Sequence, residues 1–177
     1  MAQNTTGNRI LLLVQAAIGL TWLRAGVGKL TDGQFVSGMD GTLGAFAGHN
    51  PHGWFRDFLL STAIPHAAVF GRLVEYGETA VGLGLAATAM IGLRAMSTRV
   101  GAAWSAVTLG ALGGGVLMST TYWLATAWMA PADDTVNLLM AVIQAALAIA
   151  AAAPIAATIR GHRHHAVAGP SAAAAAA

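Results

Sequence analysis

The sequence contains no cysteine, which excludes several kinds of chemistry at once. Without thiols there is no disulfide, no thiolate nucleophile, and no zinc or iron–sulfur site ligated by sulfur. Charge is scarce as well, because charged residues make up 9% of the 177 residues, against roughly 25% in soluble domains. No dense Lys/Arg stripe is present to neutralise phosphates, so we do not expect nucleic acid as a partner.

What the sequence has instead is a hydrophobic share of 56%, arranged in long apolar runs. About 20 apolar residues at 1.5 Å rise per residue cross a bilayer. Four runs meet this length, at 10–30, 66–93, 100–123 and 135–159. They predict an all-α fold, a polytopic membrane four-helix bundle over 10–160. A cytoplasmic N-terminus (1–9) precedes it and a disordered cytoplasmic tail (161–177) follows it. The first run lacks a small-residue cleavage region, so we expect a retained helix and not a signal peptide.

The positions of the basic residues predict the orientation. Arginines without acidic neighbours flank the predicted spans on one side: Arg9, Arg94, Arg99, Arg160 and Arg163. Cytoplasmic flanks carry an excess of Lys and Arg, so both termini are expected in the cytoplasm and the protein in the plasma membrane. The bilayer is therefore its first expected partner.

The longest predicted loop, residues 31–65, contains the aromatic stretch "HNPHGWFRDFLLST". Pro51 can begin a helix, in which Trp54, Phe55 and Phe58 fall on one face. This pattern predicts a short interfacial helix in the first external loop. An equally favoured alternative is that these aromatic side chains plug the outer end of the bundle.

Three charges interrupt the second apolar run, "GRLVEYGETAVGLGL": Arg72, Glu75 and Glu78. Their i, i+3, i+6 spacing places them on one broad face, and lets Arg72 pair with Glu75. Glu78 lies roughly 18 Å along the helix from His66, near mid-bilayer depth. Because a lipid-facing charge there costs about 3 kcal/mol or more, the face must point inward. Arg24 in the first run lies at a comparable depth, and we expect it to contact the acidic face.

Two interpretations of this charged cluster stay open. It is either a structural lock between the first two helices, or a site at which Glu75 or Glu78 exchanges protons with water or a bound redox molecule. A metal centre is not expected, because Pro51 separates His49 from His52 and the pair lies on a loop or helix start. Haem is not expected either, since no histidine lies in the middle of a span.

The stretch "RAGVGKL" after the first apolar run, followed by "PHGWFRDFLLSTAIPHAAVFGRLVEYGETAVGLGLAATAMIGLRAMSTRVGA", resembles the DoxX family and its DoxD-type relatives. The resemblance covers roughly residues 10–145. The family pattern of an Arg and a Gly-x-x-Lys on the first helix, with a Glu followed by glycines on the second, falls on Arg24, Gly26, Lys29, Glu78, Gly82 and Gly84.

The resemblance implies a small four-helix subunit of a quinone-linked membrane oxidoreductase, of the thiosulfate:quinone type. With no cofactor ligand evident in this chain, another redox protein subunit is expected to supply the electrons. Whether this chain is itself catalytic is left open, as is a homo-oligomer. The alternatives are a non-catalytic accessory subunit that docks to a respiratory or other membrane redox complex and, more weakly, a small transporter.

In the quinone hypothesis, each polar residue of the cluster has an expected role. Glu78 is the expected proton carrier and Glu75 the second carboxylate, while Arg24 orients Glu78 or bonds a quinone oxygen. The remaining expected contacts are an apolar entrance and two further residues of the second helix: Trp22, Trp54, Phe55 and Phe58, then Arg72 and Tyr76.

Overall fold

The computed structural model describes residues 5–94 and 102–167, and all regular structure in these two ranges is helical. Helix α1 is Thr5–Thr31, α2 Met39–His49, α3 Gly53–Phe58, α4 Ala67–Arg94, α5 Ala102–Thr126 and α6 Pro131–Val167. A π-helical turn, Leu59–Ala63, and a 3₁₀ turn, Ile64–His66, join α3 to α4. The predicted all-α class is confirmed.

The ends of the predicted segments differ from the observed helices. Helix α1 begins within the predicted N-terminal segment, at Thr5. Helix α6 continues to Val167, so residues 161–167 of the predicted tail are helical. The rest of that tail, the first four residues, and the start of the third predicted span lie outside the described residues.

Helices α1 and α4 approach most closely, because glycines remove the side chains that would hold their backbones apart. A Cβ placed on Gly19 would lie 2.6 Å from the Ala86 amide nitrogen, and one on Gly26 would lie 2.5 Å from the Thr79 amide nitrogen. The later residue of α1, Gly26, meets the earlier residue of α4, Thr79, so the two helices are antiparallel. Small residues at the contact are typical of helix pairs in membranes.

The four long helices share one apolar core. Helices α1, α4, α5 and α6 each contribute buried side chains to it: Ile18, Trp22, Val81, Leu85, Leu112 and Leu147. Leu85 and Leu112 are completely buried. This core lies in the middle of the helices and supports the polar groups described below.

Helices α2 and α3 cover one end of the long helices, here called the cap end. A second apolar cluster holds them there: Met39, Leu43, Ala47, Phe55, Leu59, Ala63 and Ala125. The buried side chain of Asn50 donates to the carbonyl of Leu124 at 2.6 Å and fixes the link between α2 and α3 to the end of α5. The cap therefore fixes the end of α5 relative to the start of α4.

The short helix predicted after Pro51 is present as α3, which begins at Gly53. Its aromatic side chains divide between the two proposed roles: Phe55 is buried in the cap cluster, whereas Trp54 and Phe58 are exposed. Pro65 accounts for the irregular turns that follow α3, because proline lacks an amide proton and its ring clashes with the carbonyl four residues earlier. Helix α2 was not predicted, since glycines interrupt its apolar pattern.

Large apolar side chains are exposed on all four long helices, and examples are Leu13, Leu73, Leu117 and Ile149. Within the described residues, two segments are long and apolar enough to cross a membrane, Thr6–Thr31 and Pro131–Ala153. They overlap the first and fourth predicted spans. The second and third predicted spans correspond to α4 and α5, and α4 carries the three charges of the predicted cluster.

Candidate functional site

The buried carboxylate of Glu78 is the centre of the site. Glu78 is 1% exposed, and three hydrogen bonds reach its two oxygens. Lys29 Nζ donates to Oε1 at 2.9 Å and to Oε2 at 2.7 Å, while the Tyr122 hydroxyl donates to Oε1 at 2.8 Å. One residue from each of α1, α4 and α5 thus builds the Lys29–Glu78–Tyr122 cluster.

Lys29 reaches Glu78 because of the face that α1 turns toward α4. Trp22, Gly26 and Lys29 follow one another at i, i+4 and i+7, which is a single helix face. Gly26 packs directly on the backbone of Glu78 and Thr79, so the lysine one turn later stands beside the carboxylate. The Lys29 side chain stays 28% exposed, and its Nζ lies 5.6 Å from the ring centroid of Phe35.

A line of polar contacts continues from the cluster into the core. The rings of Tyr122 and Trp22 have centroids 6.0 Å apart, and Trp22 Nε1 donates to Gln144 Oε1 at 3.0 Å. Gln144 Nε2 in turn donates to Ser119 Oγ at 3.0 Å and to the Met140 carbonyl at 2.9 Å. Trp22, Ser119 and Gln144 are therefore joined by hydrogen bonds, and the ring contact between Trp22 and Tyr122 places them next to the Lys29–Glu78–Tyr122 cluster.

The predicted pair of Arg72 and Glu75 is confirmed, with Arg72 Nη1 donating to Glu75 Oε2 at 3.0 Å. The Glu75 side chain is 3% exposed, whereas that of Arg72 is 59% exposed. Glu75 lies one helical turn from Glu78, on the side nearer the cap end. The two carboxylates therefore each have their own cation, and the four charges sum to zero.

The expected contact between Arg24 and the acidic face is wrong. Arg24 is exposed, and the described residues give it no hydrogen-bond or ion-pair partner. It lies two residues from both Trp22 and Gly26, which places it roughly 200° around the helix from the face that meets α4. Lys29 occupies the position that the sequence analysis gave to Arg24.

Arg24 instead lines an open groove along the cap end of α1. The groove has a volume of about 520 Å³ and is lined by Thr21, Arg24, Ala25, Gly28, Lys29 and Asp32. The lining combines small side chains and one glycine with three charged groups. Lys29 connects the groove to the cluster, because it belongs to both.

The aromatic residues predicted as an entrance do not come together at this groove. Trp22 is 5% exposed within the central core, and Phe55 belongs to the separate cap cluster. Trp54 and Phe58 lie on the outside of α3. Tyr76, predicted as a further contact, is exposed on the outside of α4.

Two residues of the site, Lys29 and Tyr122, were missing from the predicted set. Lys29 was noted only as part of the family pattern, and Tyr122 was given no role at the site. The sequence does contain a pattern that indicates Lys29. Gly19, Trp22 and Gly26 lie on one face of a helix, and Lys29 is the next residue on that face. No comparable pattern marks Tyr122, which depends on how α5 packs.

In the described part of the chain, no group of three or more His, Asp or Glu side chains is placed to hold a metal ion. His49 Nδ1 lies 2.9 Å from the Ala45 carbonyl oxygen, and the His52 ring packs edge-on against Trp128 at 5.1 Å. The two histidines predicted not to form a zinc site thus each have a separate contact.

Comparison of the chain with protein-family models, with curated proteins and with solved structures gives no match.

Proposed function

We propose that this chain is a multi-pass membrane subunit of a quinone-linked oxidoreductase, similar to the DoxX family, with the quinone head group bound in the groove beside Lys29. The helices α1, α4, α5 and α6 are the four spans of this proposal. The cap end faces the outside of the plasma membrane, and both termini lie in the cytoplasm.

The distribution of polar and apolar side chains supports the membrane assignment. On α4, exposed apolar side chains form one long stripe: Val69, Leu73, Tyr76, Leu83 and Met90. The carboxyl and amide side chains of Glu75, Glu78 and Gln144 are buried against the other helices. A protein surrounded by lipid has this arrangement, because hydrocarbon penalises exposed polar groups and tolerates exposed leucine.

The observation that carries the quinone assignment is the position of the Lys29 ammonium group. An ammonium group has three donors, and two of those of Lys29 are used by Glu78. The third has no acceptor among the described residues, and Lys29 lines the groove. A neutral ring with a carbonyl oxygen fits this donor, and the neighbouring Arg24 guanidinium offers a second donor along the groove.

A quinone would supply the redox chemistry, accepting two electrons from the reduced redox centre of a partner subunit and two protons to form two O–H bonds. Lys29 would hold a quinone oxygen by a hydrogen bond and could pass one proton to it. Glu78, after taking up a proton from the medium, would return one to Lys29, because it is bonded to the same nitrogen. The second proton would follow the same route after Glu78 has been protonated again. Tyr122 holds the carboxylate in place from the other side, and the burial of Glu78 keeps water from it.

A second candidate function is an accessory subunit that docks to a redox complex without taking part in its chemistry. The observation that favours it is the completeness of the cluster: among the described side chains, no buried nitrogen or oxygen lacks a hydrogen-bond partner. A structural lock has the same property. A transporter has weaker support, because the polar groups further from the cap end are bonded to one another, as Gln15 is to Thr88 at 2.8 Å.

Reporter fusions test the membrane part of the proposal. A reporter placed near Gly48 should report the outside, and one placed after Ala166 should report the cytoplasm. An external signal from the second fusion, or a cytoplasmic signal from the first, would overturn the four-span topology.

Quinone binding to the purified protein in lipid nanodiscs tests the site. Lys29→Gln should weaken binding about tenfold or more, since it removes a charge-assisted hydrogen bond of about 1.5–3 kcal/mol. Lys29→Arg should restore part of the affinity, and Arg94→Gln, at the opposite end of α4, should bind as the parent does. If the parent chain binds no quinone, or if Glu78→Gln supports quinone reduction at the parent rate in an assembled complex, the accessory function replaces this one.

A further inference from the structure

We infer that the groove on α1 holds the head group of a zwitterionic aminophospholipid of the outer leaflet, with the lipid phosphate at Arg24 and the lipid ammonium group at Asp32. The inference rests on the membrane part of the proposed function, which makes α1 a membrane span. It goes beyond the quinone part and needs no bound quinone.

Arg24 is a charged side chain on an apolar, exposed surface of α1. Leu20 and Val27, four residues before it and three after it, share its helix face and are 59% and 44% exposed. Arg24 is exposed as well, and the described residues give it no hydrogen-bond or ion-pair partner. Because hydrocarbon strongly penalises an unpaired arginine, a membrane-spanning α1 needs an anionic group that reaches Arg24 from outside the chain.

The depth of Arg24 brings it within reach of lipid phosphates. It lies seven residues before Thr31, the end of α1, which is about 10 Å at 1.5 Å rise per residue. A long arginine side chain can cover much of that depth and keep its charged end among the head groups. Gly28, one turn nearer the helix end, leaves this path open, because a Cβ there would meet nothing within 4 Å. The guanidinium group can then bind a phosphate with two parallel hydrogen bonds.

Asp32 supplies the opposite charge at the outer end of the same groove. Among the described residues its carboxylate accepts one hydrogen bond, from the Gln34 backbone amide at 3.0 Å, and has no ion-pair partner. Since Asp32 follows Arg24 by eight residues, the cation of the groove is the deeper charge and the anion the outer one. An ethanolamine head group has the matching order, because its phosphate adjoins the lipid glycerol and its ammonium group points toward water.

The two charges together favour this lipid over other common ones. Phosphatidylglycerol has no cation for Asp32, and a choline group has no N–H to donate to a carboxylate. The third charged residue of the groove, Lys29, is already paired with Glu78. Arg24 has five N–H donors, so one bond to a quinone oxygen would leave others for the phosphate.

Native mass spectrometry of the purified, delipidated full chain tests the site in the absence of quinone. With equal acyl chains, phosphatidylethanolamine should bind the parent about threefold more tightly than phosphatidylcholine, an effect typical of a solvent-exposed ion pair. Asp32→Asn should remove this difference, and it keeps an oxygen acceptor for the Gln34 amide. Arg24→Gln should weaken the binding of both lipids about tenfold, since both contain the phosphate.

The controls separate charge, position and lipid character. Arg24→Lys keeps the charge without the planar fork and should restore part of the affinity. Arg56→Gln removes the same charge from the exposed surface of α3 and should bind both lipids as the parent does. An excess of soluble phosphoethanolamine should not displace the lipid, because it lacks the acyl chains that contact the apolar surface of α1.

Three results would overturn the inference. Equal affinities of the parent for the two lipids, or a difference that persists in Asp32→Asn, would mean that Asp32 does not hold the ammonium group. Parent-like binding in Arg24→Gln would mean that the phosphate lies elsewhere. Displacement by soluble phosphoethanolamine would mean that the groove takes a water-soluble zwitterion and not a lipid. Quinone binding can fail without changing these readings, and the reporter fusions test the topology separately.

Discussion

The contact between α1 and α4 and the contact between α5 and α6 are both built on glycine, but the glycines meet different atoms. Gly19 and Gly26 of α1 face backbone nitrogens of α4, and Gly82 of α4 faces the backbone of Leu23. Gly115 of α5 faces the side-chain amide of Gln144. A backbone cannot rotate away from an added methyl group, whereas the end of a side chain can.

The two contacts also differ in charge. The α1–α4 contact holds the Lys29–Glu78 ion pair, and the α5–α6 contact holds the neutral bond between Gln144 and Ser119. The ionised groups therefore lie where the two backbones have the least freedom to move. A site that must keep donor and acceptor within a few tenths of an ångström benefits from such support.

The largest expected effect comes from adding a methyl group to the α1–α4 contact. Gly26→Ala places a Cβ 2.5 Å from the Thr79 nitrogen, so the helices must separate. We expect a loss of roughly 3 kcal/mol in the free energy of unfolding, the upper end for overpacking. SDS-induced unfolding in mixed micelles measures it.

Gly28→Ala is the matched control, because it lies on the same helix and its Cβ would meet nothing within 4 Å. Removing a helical glycine there should stabilise the protein by roughly 0.5–1 kcal/mol. Equal effects of the two substitutions would contradict the close packing of α1 on α4.

The next effect concerns the ion pair. Lys29→Leu or Glu78→Leu leaves one buried charge without its partner and should cost about 3 kcal/mol, the lower end for a broken buried pair because Lys29 is partly exposed. The double variant should lose much less than the sum. Arg24→Leu, with no ion-pair partner among the described residues, should unfold as the parent does. Additive losses in the double variant, measured by the same unfolding assay, would argue against the pair.

A smaller effect is expected at the α5–α6 contact. Gly115→Ala displaces the Gln144 amide from its bonds to Ser119 and Trp22, which should cost about 1–2 kcal/mol. Once Gln144→Ala has removed that amide, adding Gly115→Ala should cost nothing further. A Gly115→Ala loss as large as that of Gly26→Ala would erase the difference between the two contacts.

The spacing of residues within one helix was enough to predict contacts inside that helix. Contacts between helices were missed where they depend on how each helix is rotated about its axis. The i, i+3 spacing was sufficient to predict the pairing of Arg72 with Glu75, because both residues lie on one helix. The partner of Glu78 depends on which face α1 turns toward α4. That face is set by Gly19 and Gly26, and their effect is seen only when both helices are in place. The sequence therefore led to Arg24, and not Lys29, as the predicted partner of Glu78.

Tyr122 and α2 were missed for other physical reasons. Tyr122 was missed because composition gives a side chain's approximate depth but not the neighbour to which it donates a hydrogen bond. Helix α2 is stabilised by Met39, Leu43 and Ala47 packing into the cap, and this tertiary burial outweighs the low helix propensity of its glycines. The quinone-linked function remains a prediction, now attached to Lys29 and the groove in place of the aromatic entrance.

The smallest expected effect lies in the α1–α4 contact far from the cap end, where the polar groups are neutral. Gln15 Nε2 donates to Thr88 Oγ1 at 2.8 Å and to the Leu85 carbonyl at 3.1 Å. Thr88→Val removes the first of these bonds but leaves the second, so the amide keeps an acceptor and the loss should be about 1 kcal/mol or less. Thr121→Val makes the same chemical change at an exposed hydroxyl, whose one hydrogen bond among the described residues is to the Leu117 carbonyl of its own helix, and it should be close to neutral. Thr88→Val could instead lower the free energy of unfolding as much as Glu78→Leu does. In that case the neutral end of the α1–α4 contact contributes as much stability as the charged end, and the comparison between them fails.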